Sequence, residues 1–113
     1  MGMRIEPGRW LLGVRVVDAD GLRLGRVAAA YCTADPYAVV WVVVRLPGLR
    51  RRWRAVPADE ACWADATQTR LRLVHRRVRV RASPAVDVDT LDSSAGRARV
   101  QRFYQPRPAY ARC

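Results

Sequence analysis

The sequence predicts a mainly β protein: a small barrel or sandwich with a short C-terminal helix and a disordered basic tail. Three observations lead there. Turn signals recur at short intervals, at Asp20-Gly21, Ala34-Asp35-Pro36 and Pro47-Gly48. The segments between them are apolar and strand-sized, which is the pattern of a small barrel or sandwich. In the run from Tyr37 to Leu46, both alternating faces are apolar, so that strand should be covered on both sides.

The elements follow in order. Trp10 to Asp18, rich in Leu and Val, reads as a first strand. Asp20-Gly21 turns the chain, because these residue types tolerate the positive φ that both positions of a tight hairpin require. Leu22 to Cys32 is the return strand, and Gly25 within it signals a bulge or a close backbone approach. Tyr37 to Leu46 is the third strand, and "LRRRWRAV" is the fourth, ending at Pro57. "ADEACWADATQT" reads as loop or a short helix. Arg70 to Val74 alternates cleanly as a fifth strand. In "HRRVRVRASP", Val78 and Val80 alternate with Arg77, Arg79 and Arg81 as in a strand, and Pro84 ends the element. Ser93 or Ser94 can cap a short helix carrying Val100, Phe103 and Tyr104 on one face, although Gly96 weakens it.

The 113 residues fit one domain. We expect an arm at 1–8, the domain at 9–104 and the Pro/Arg tail at 105–113. No apolar run approaches the ~20 residues that span a membrane. The N-terminus lacks a signal-peptide h-region, so the expected compartment is the cytoplasm. The three cysteines, Cys32, Cys62 and Cys113, are odd in number and widely spaced, against a disulfide framework.

The net charge is +11, and all the basic residues are arginine. Such a charge attracts RNA, DNA or acidic surfaces. It is unevenly spread: most of the excess lies between Arg45 and Arg81, and the tail from Arg97 onward has five arginines and no acid.

The stretch "VVDADGLRLGRV" invites three readings. Asp18-x-Asp20-Gly21 lacks the further ligands and terminal Glu of a calcium loop. Gly21-x-x-x-Gly25 lacks the spacing and Lys of a phosphate loop. A hairpin remains, with Asp18, Asp20, Gly21 and Gly25 as structural turn residues. Its pattern, Gly13-x-x-Val16-x-Asp18-x-x-Gly21-x-x-Leu24-Gly25-x-Val27, resembles the opening of the PRC-barrel domain. "YAVVWVVV" looks like that family's long apolar strand, Val56-Pro57 resembles its "V-P" after the fourth strand, and Ala82-Ser83-Pro84 followed by "AVDVD" is similar to the stretch closing many stand-alone members. The resemblance covers roughly residues 10–104. It implies a bacterial, highly curved barrel of the kind found in the photosynthetic reaction-centre H subunit and in a ribosome maturation factor. In both, the barrel serves mainly to bind a macromolecule. The family often has a short helical turn before Ala82, where residues 76–81 here alternate like a strand.

Catalysis finds little support. His75 is the sole histidine, and no third group is evident to orient a Cys32–His75 or Cys62–His75 pair. Asp59, Glu60 and Asp65 read as solvated surface or as partners for arginine. No cofactor, metal or catalytic set is expected. The best functional candidate is Arg50, Arg51, Arg52, Trp53 and Arg54. On a strand, Arg50, Arg52 and Arg54 share one face and Arg51 and Trp53 the other. Arginine forks bind phosphate or carboxylate, and Trp can stack on a base. The competing reading makes Trp53 core and the arginines an exposed edge that blunts aggregation. The sequence thus points to a non-enzymatic adapter docking onto a protein partner, with a homodimer as one form of this. The alternative is an RNA- or ribosome-associated module using the Arg-rich hairpin and tail.

Overall fold

A computed structural model describes residues 4–6, 11–34, 37–48, 52–87 and 89–105. Arg50 and Arg51, the Asp35-Pro36 turn, Trp10 and the tail beyond Gln105 lie outside the described residues.

The strands are β1 (Arg4–Glu6), β2 (Arg15–Val17), β3 (Arg23–Ala34), β4 (Tyr37–Leu46), β5 (Arg52–Pro57), β6 (Ala61–Trp63), β7 (Arg70–Leu73) and β8 (Ala85–Val86). Two helices join them: α1 (Arg77–Ala82) between β7 and β8, and α2 (Ser94–Phe103) at the end. The chain is mainly β with a short C-terminal helix. The strands form one sheet in the order β6-β7-β2-β3-β4-β5-β8, with β1 paired to the far end of β3. All neighbours are antiparallel except β2 and β7. Among the described residues no ladder joins β6 to β8, so the hydrogen-bonded path is open.

The β2–β3 hairpin forms where the sequence places it, but by a different turn. Positive φ is confined to Gly21, at +82°; Asp20 does not share it. The Gly21 N–H donates to the Asp18 carbonyl (3.0 Å) and the Asp18 N–H to the Leu22 carbonyl (2.8 Å). Asp18 itself is buried. Its Oδ1 accepts the Asp20 N–H (2.9 Å) and the Leu22 N–H (2.7 Å), which fixes the turn from within. Gly25 makes the close approach its position suggests: a Cβ built there would collide with the Arg45 carbonyl oxygen. β3 and β4 can cross tightly there only with hydrogen at that site.

β4 lies within the fold. Trp41, Val42, Val43 and Val44 are all buried, so both faces of the strand meet protein. Val16, Leu24, Val27, Val56, Leu71, Leu73 and Val80 join them in one core, closed by Leu91, Val100 and Tyr104. α2 is capped by the Ser93 hydroxyl, which accepts the Gly96 N–H at 3.0 Å. Gly96, unhelpful to helix propensity, is where the Thr90 carbonyl lies too near for a side chain.

Three elements differ from expectation. The first strand is shorter than Trp10–Asp18: Leu11–Gly13 form a turn, closed by the Val14 N–H on the Leu11 carbonyl (3.1 Å). The segment after Pro57 is one 3-10 turn, Ala58–Glu60, and then a strand too short to alternate visibly, β6. Residues 77–82 are helical, not extended. Val78 and Val80, two apart, diverge on a helix: Val80 is buried while Val78 is 74% exposed. The Asp18 Oδ2 accepts the Arg77 N–H at 2.9 Å, satisfying a donor of the first helical turn.

Candidate polyanion-binding face

Successive residues of a strand point to opposite sides of the sheet, and residues paired across a ladder point to the same side. The registers therefore define a row. Arg70 on β7 pairs with Arg15 on β2, Arg15 with Arg26 on β3, Arg26 with Arg45 on β4, and Arg45 with Trp53 on β5. Four arginines on four adjacent strands stand side by side, and a tryptophan ends the line. The next positions along, Val16, Val27, Val44 and Leu71, are buried, so the arginines occupy the outward parity. All four are exposed, and Trp53 is half-buried. At a strand spacing of ~4.8 Å, the four arginine stations span ~14 Å.

The row is only lightly neutralised. Arg70 lies 3.6 Å from Asp65, an ion pair half open to solvent. Asp65 is already occupied by the Thr69 N–H (3.1 Å) and hydroxyl (2.8 Å). Those bonds, more than Arg70, hold its carboxyl below the usual range. Arg26 donates to the Gly13 carbonyl at 2.9 Å, which anchors one arm of its fork. Among the described residues, Arg15 and Arg45 form no ion pair.

Of the predicted cluster, Arg52, Trp53 and Arg54 are described, and they part company. Trp53 pairs with Arg45 on one side and with the buried Val86 on the other, and it packs half-buried against the core. Arg52 and Arg54 are on the opposite parity, paired with Leu46 and Val44, and Arg52 is exposed. Arg54 is half-buried and folds back, donating to the carbonyls of Trp53 (3.2 Å) and Arg81 (3.4 Å). Burial, and then Arg52, push its guanidinium pKa down. β5 is also not an edge at this point, since β8 pairs with Trp53 and Arg54. Arg52 and Arg54 thus share one face and Trp53 takes the other, the parity expected of a strand, while Arg50 and Arg51 lie outside the described residues. Arg15, Arg26, Arg45 and Arg70 each stand alone in sequence, and only the ladder registers bring them together.

A second polar cluster is internal. Glu60 is fully buried and shares a 2.8 Å hydrogen bond with the Nε2 of His75, itself 3% exposed. Glu60 is thus not solvated surface: it follows the 3-10 turn into the interior and meets His75. The Tyr104 ring packs on His75, with centroids 4.8 Å apart, and burial raises its hydroxyl to about 12. The Arg79 guanidinium lies over Phe103 and Tyr104, at 5.5 and 5.8 Å. Glu60, not a cysteine, is what His75 meets, and the arrangement is that of a packed core pair. Cys62 directs its Sγ at the Arg72 carbonyl, 3.8 Å away. Among the described residues, no three His, Cys, Asp or Glu side chains gather to hold a metal ion.

No helix among the described residues is long and apolar enough to cross a membrane. No family model matches the chain, and no curated protein matches it significantly.

Proposed function

We propose that this protein is a non-enzymatic binding module that holds a single-stranded RNA along the row Arg70–Arg15–Arg26–Arg45. The observation that carries the reading is the row itself. Like charges placed directly across a ladder disfavour a sheet, and an anion bound along the row would offset that. Their forks suit phosphodiester oxygens. The reading of the fold as a PRC-type barrel goes with this proposal. It is supported by the two register shifts in the β3–β4 ladder, the close approach at Gly25 and the helical turn before Ser83. So does a cytoplasmic setting, where RNA is the abundant polyanion.

The test is binding of a short single-stranded RNA across a range of salt. Four phosphate contacts predict that log K falls with log salt at a slope of about −3. The double variant Arg15→Gln/Arg45→Gln should bind more weakly and flatten the slope by about half, roughly 0.7 for each arginine neutralised. An unchanged slope in that variant would overturn the reading.

A second reading, docking onto a protein partner or a second copy, is favoured by Val78. It is 74% exposed at the edge of a cleft lined by Ala19, Val74, His75 and Arg79. Val78→Asp would abolish such a complex and leave RNA binding intact.

A further inference from the structure

Beside the row, the tight β3–β4 crossing opens a cleft of ≈240 Å³, lined by Arg23, Gly25, Arg26, Arg45, Leu46 and Pro47. Its chemistry is one-sided. Three of the six lining residues are arginines, and all three are exposed. Among the described residues, no acidic side chain forms an ion pair with any of them. The floor is the bare backbone of Gly25, which cannot carry a side chain because the Arg45 carbonyl occupies its space. The cleft is thus lined by three arginines around a strand position that carries no side chain. One of them is already oriented: Arg26 is tied at 2.9 Å to the Gly13 carbonyl through Nη1, leaving its remaining donors for a ligand.

An internal phosphodiester carries one negative charge, which one or two forks satisfy. A phosphate monoester carries ~1.5–2 charges at pH 7 and three strong acceptor oxygens. Three arginines around one cleft match the second ligand better than the first. We infer that the cleft of Arg23, Arg26 and Arg45 takes a phosphate monoester, and that the module therefore prefers a strand with a terminal phosphate. This inference rests on the polyanion reading of the face. Arg23 separates the two: it lines the cleft but stands outside the row.

The experiment compares a ten-nucleotide single-stranded RNA bearing a 5′-phosphate, a 3′-phosphate or hydroxyls only, titrated into the full chain and into Arg23→Gln. Phosphorus NMR of inorganic phosphate with each protein runs in parallel. One phosphorylated end should bind roughly tenfold tighter than the hydroxyl strand, the equivalent of one strong charged contact. That preference should fade below about pH 6, where the monoester regains a proton. Arg23→Gln should lose the preference while binding the hydroxyl strand as before. Equal, salt-sensitive binding of all three strands would overturn the cleft and leave the row standing. Broadening of the inorganic phosphate signal, lost in Arg23→Gln, with no RNA bound would uphold the cleft for a free phosphate and overturn the row. Neither RNA nor phosphate bound would overturn both.

Discussion

The Asp18 carboxylate accepts the backbone N–H of Arg77 at 2.9 Å, across a sequence separation of 59 residues. The same group accepts two N–H groups of its own turn, so one buried side chain fastens the β2–β3 hairpin to the start of α1. Asp18→Ala leaves three donors to find other partners. We expect it to destabilise the fold by about 3 kcal/mol, since hydrogen bonds to a charged group are worth ~1.5–3 kcal/mol each and part of the loss is recovered by water. Chemical denaturation measures it. Asp18→Asn, which keeps one acceptor oxygen, should lie between the two.

Gly21 and Gly25 should answer substitution differently. At Gly21 there is open space for a side chain but φ is +82°, so Gly21→Val bears backbone strain alone, about 1–2 kcal/mol. At Gly25 the obstacle is the carbonyl of Arg45, which cannot move without breaking the ladder. Gly25→Ala should cost about 3 kcal/mol or more, or prevent soluble expression. Equal effects at the two sites would contradict the close crossing.

Tyr104 gives an alkaline signature. Its folded pKa of about 12 exceeds the ordinary 10.0, chiefly through burial. Between those values the folded state keeps a proton that the unfolded chain releases. The contribution is therefore complete below pH 10 and is lost as pH rises through 12. At pH 11 it amounts to about 1 kcal/mol of lost stability. Comparing urea midpoints at pH 9 and pH 11 for the parent protein and Tyr104→Phe isolates it. The variant should show the smaller drop.

The buried Glu60–His75 pair should be costly to break from one side. Glu60→Leu strands the histidine nitrogen, and His75→Leu strands a carboxylate oxygen; each should destabilise by about 3 kcal/mol or more. Removing both together should cost less than the sum of the two, as measured in a double-mutant cycle. Simple additivity would mean the 2.8 Å contact contributes no coupling.

Much of the fold was legible because it is written locally. Asp20-Gly21 marks its hairpin, the β4 tract declares a strand covered on both faces, and Ser93 caps α2. The failures share a cause. Residues 77–82 alternate like a strand, and the helix they form takes one of its first-turn contacts from Asp18, remote in sequence. β6 is visible only once β7 is there to pair with it. The arginine row was not legible at all. Each member is an ordinary outward residue between buried neighbours, and its significance depends on register, which periodicity does not set between distant strands. The local cluster Arg50 to Arg54 stands out because it is contiguous, yet within it Arg54 turns away to serve two backbone carbonyls.

The row also says something about the empty protein. Four arginines rooted on strands ~4.8 Å apart put like charges side by side, which disfavours the sheet. Simple electrolyte relieves this. Raising ionic strength should therefore toughen the fold against heat, and under the proposed function it should weaken RNA binding. The two responses would have opposite signs because they come from the same four charges.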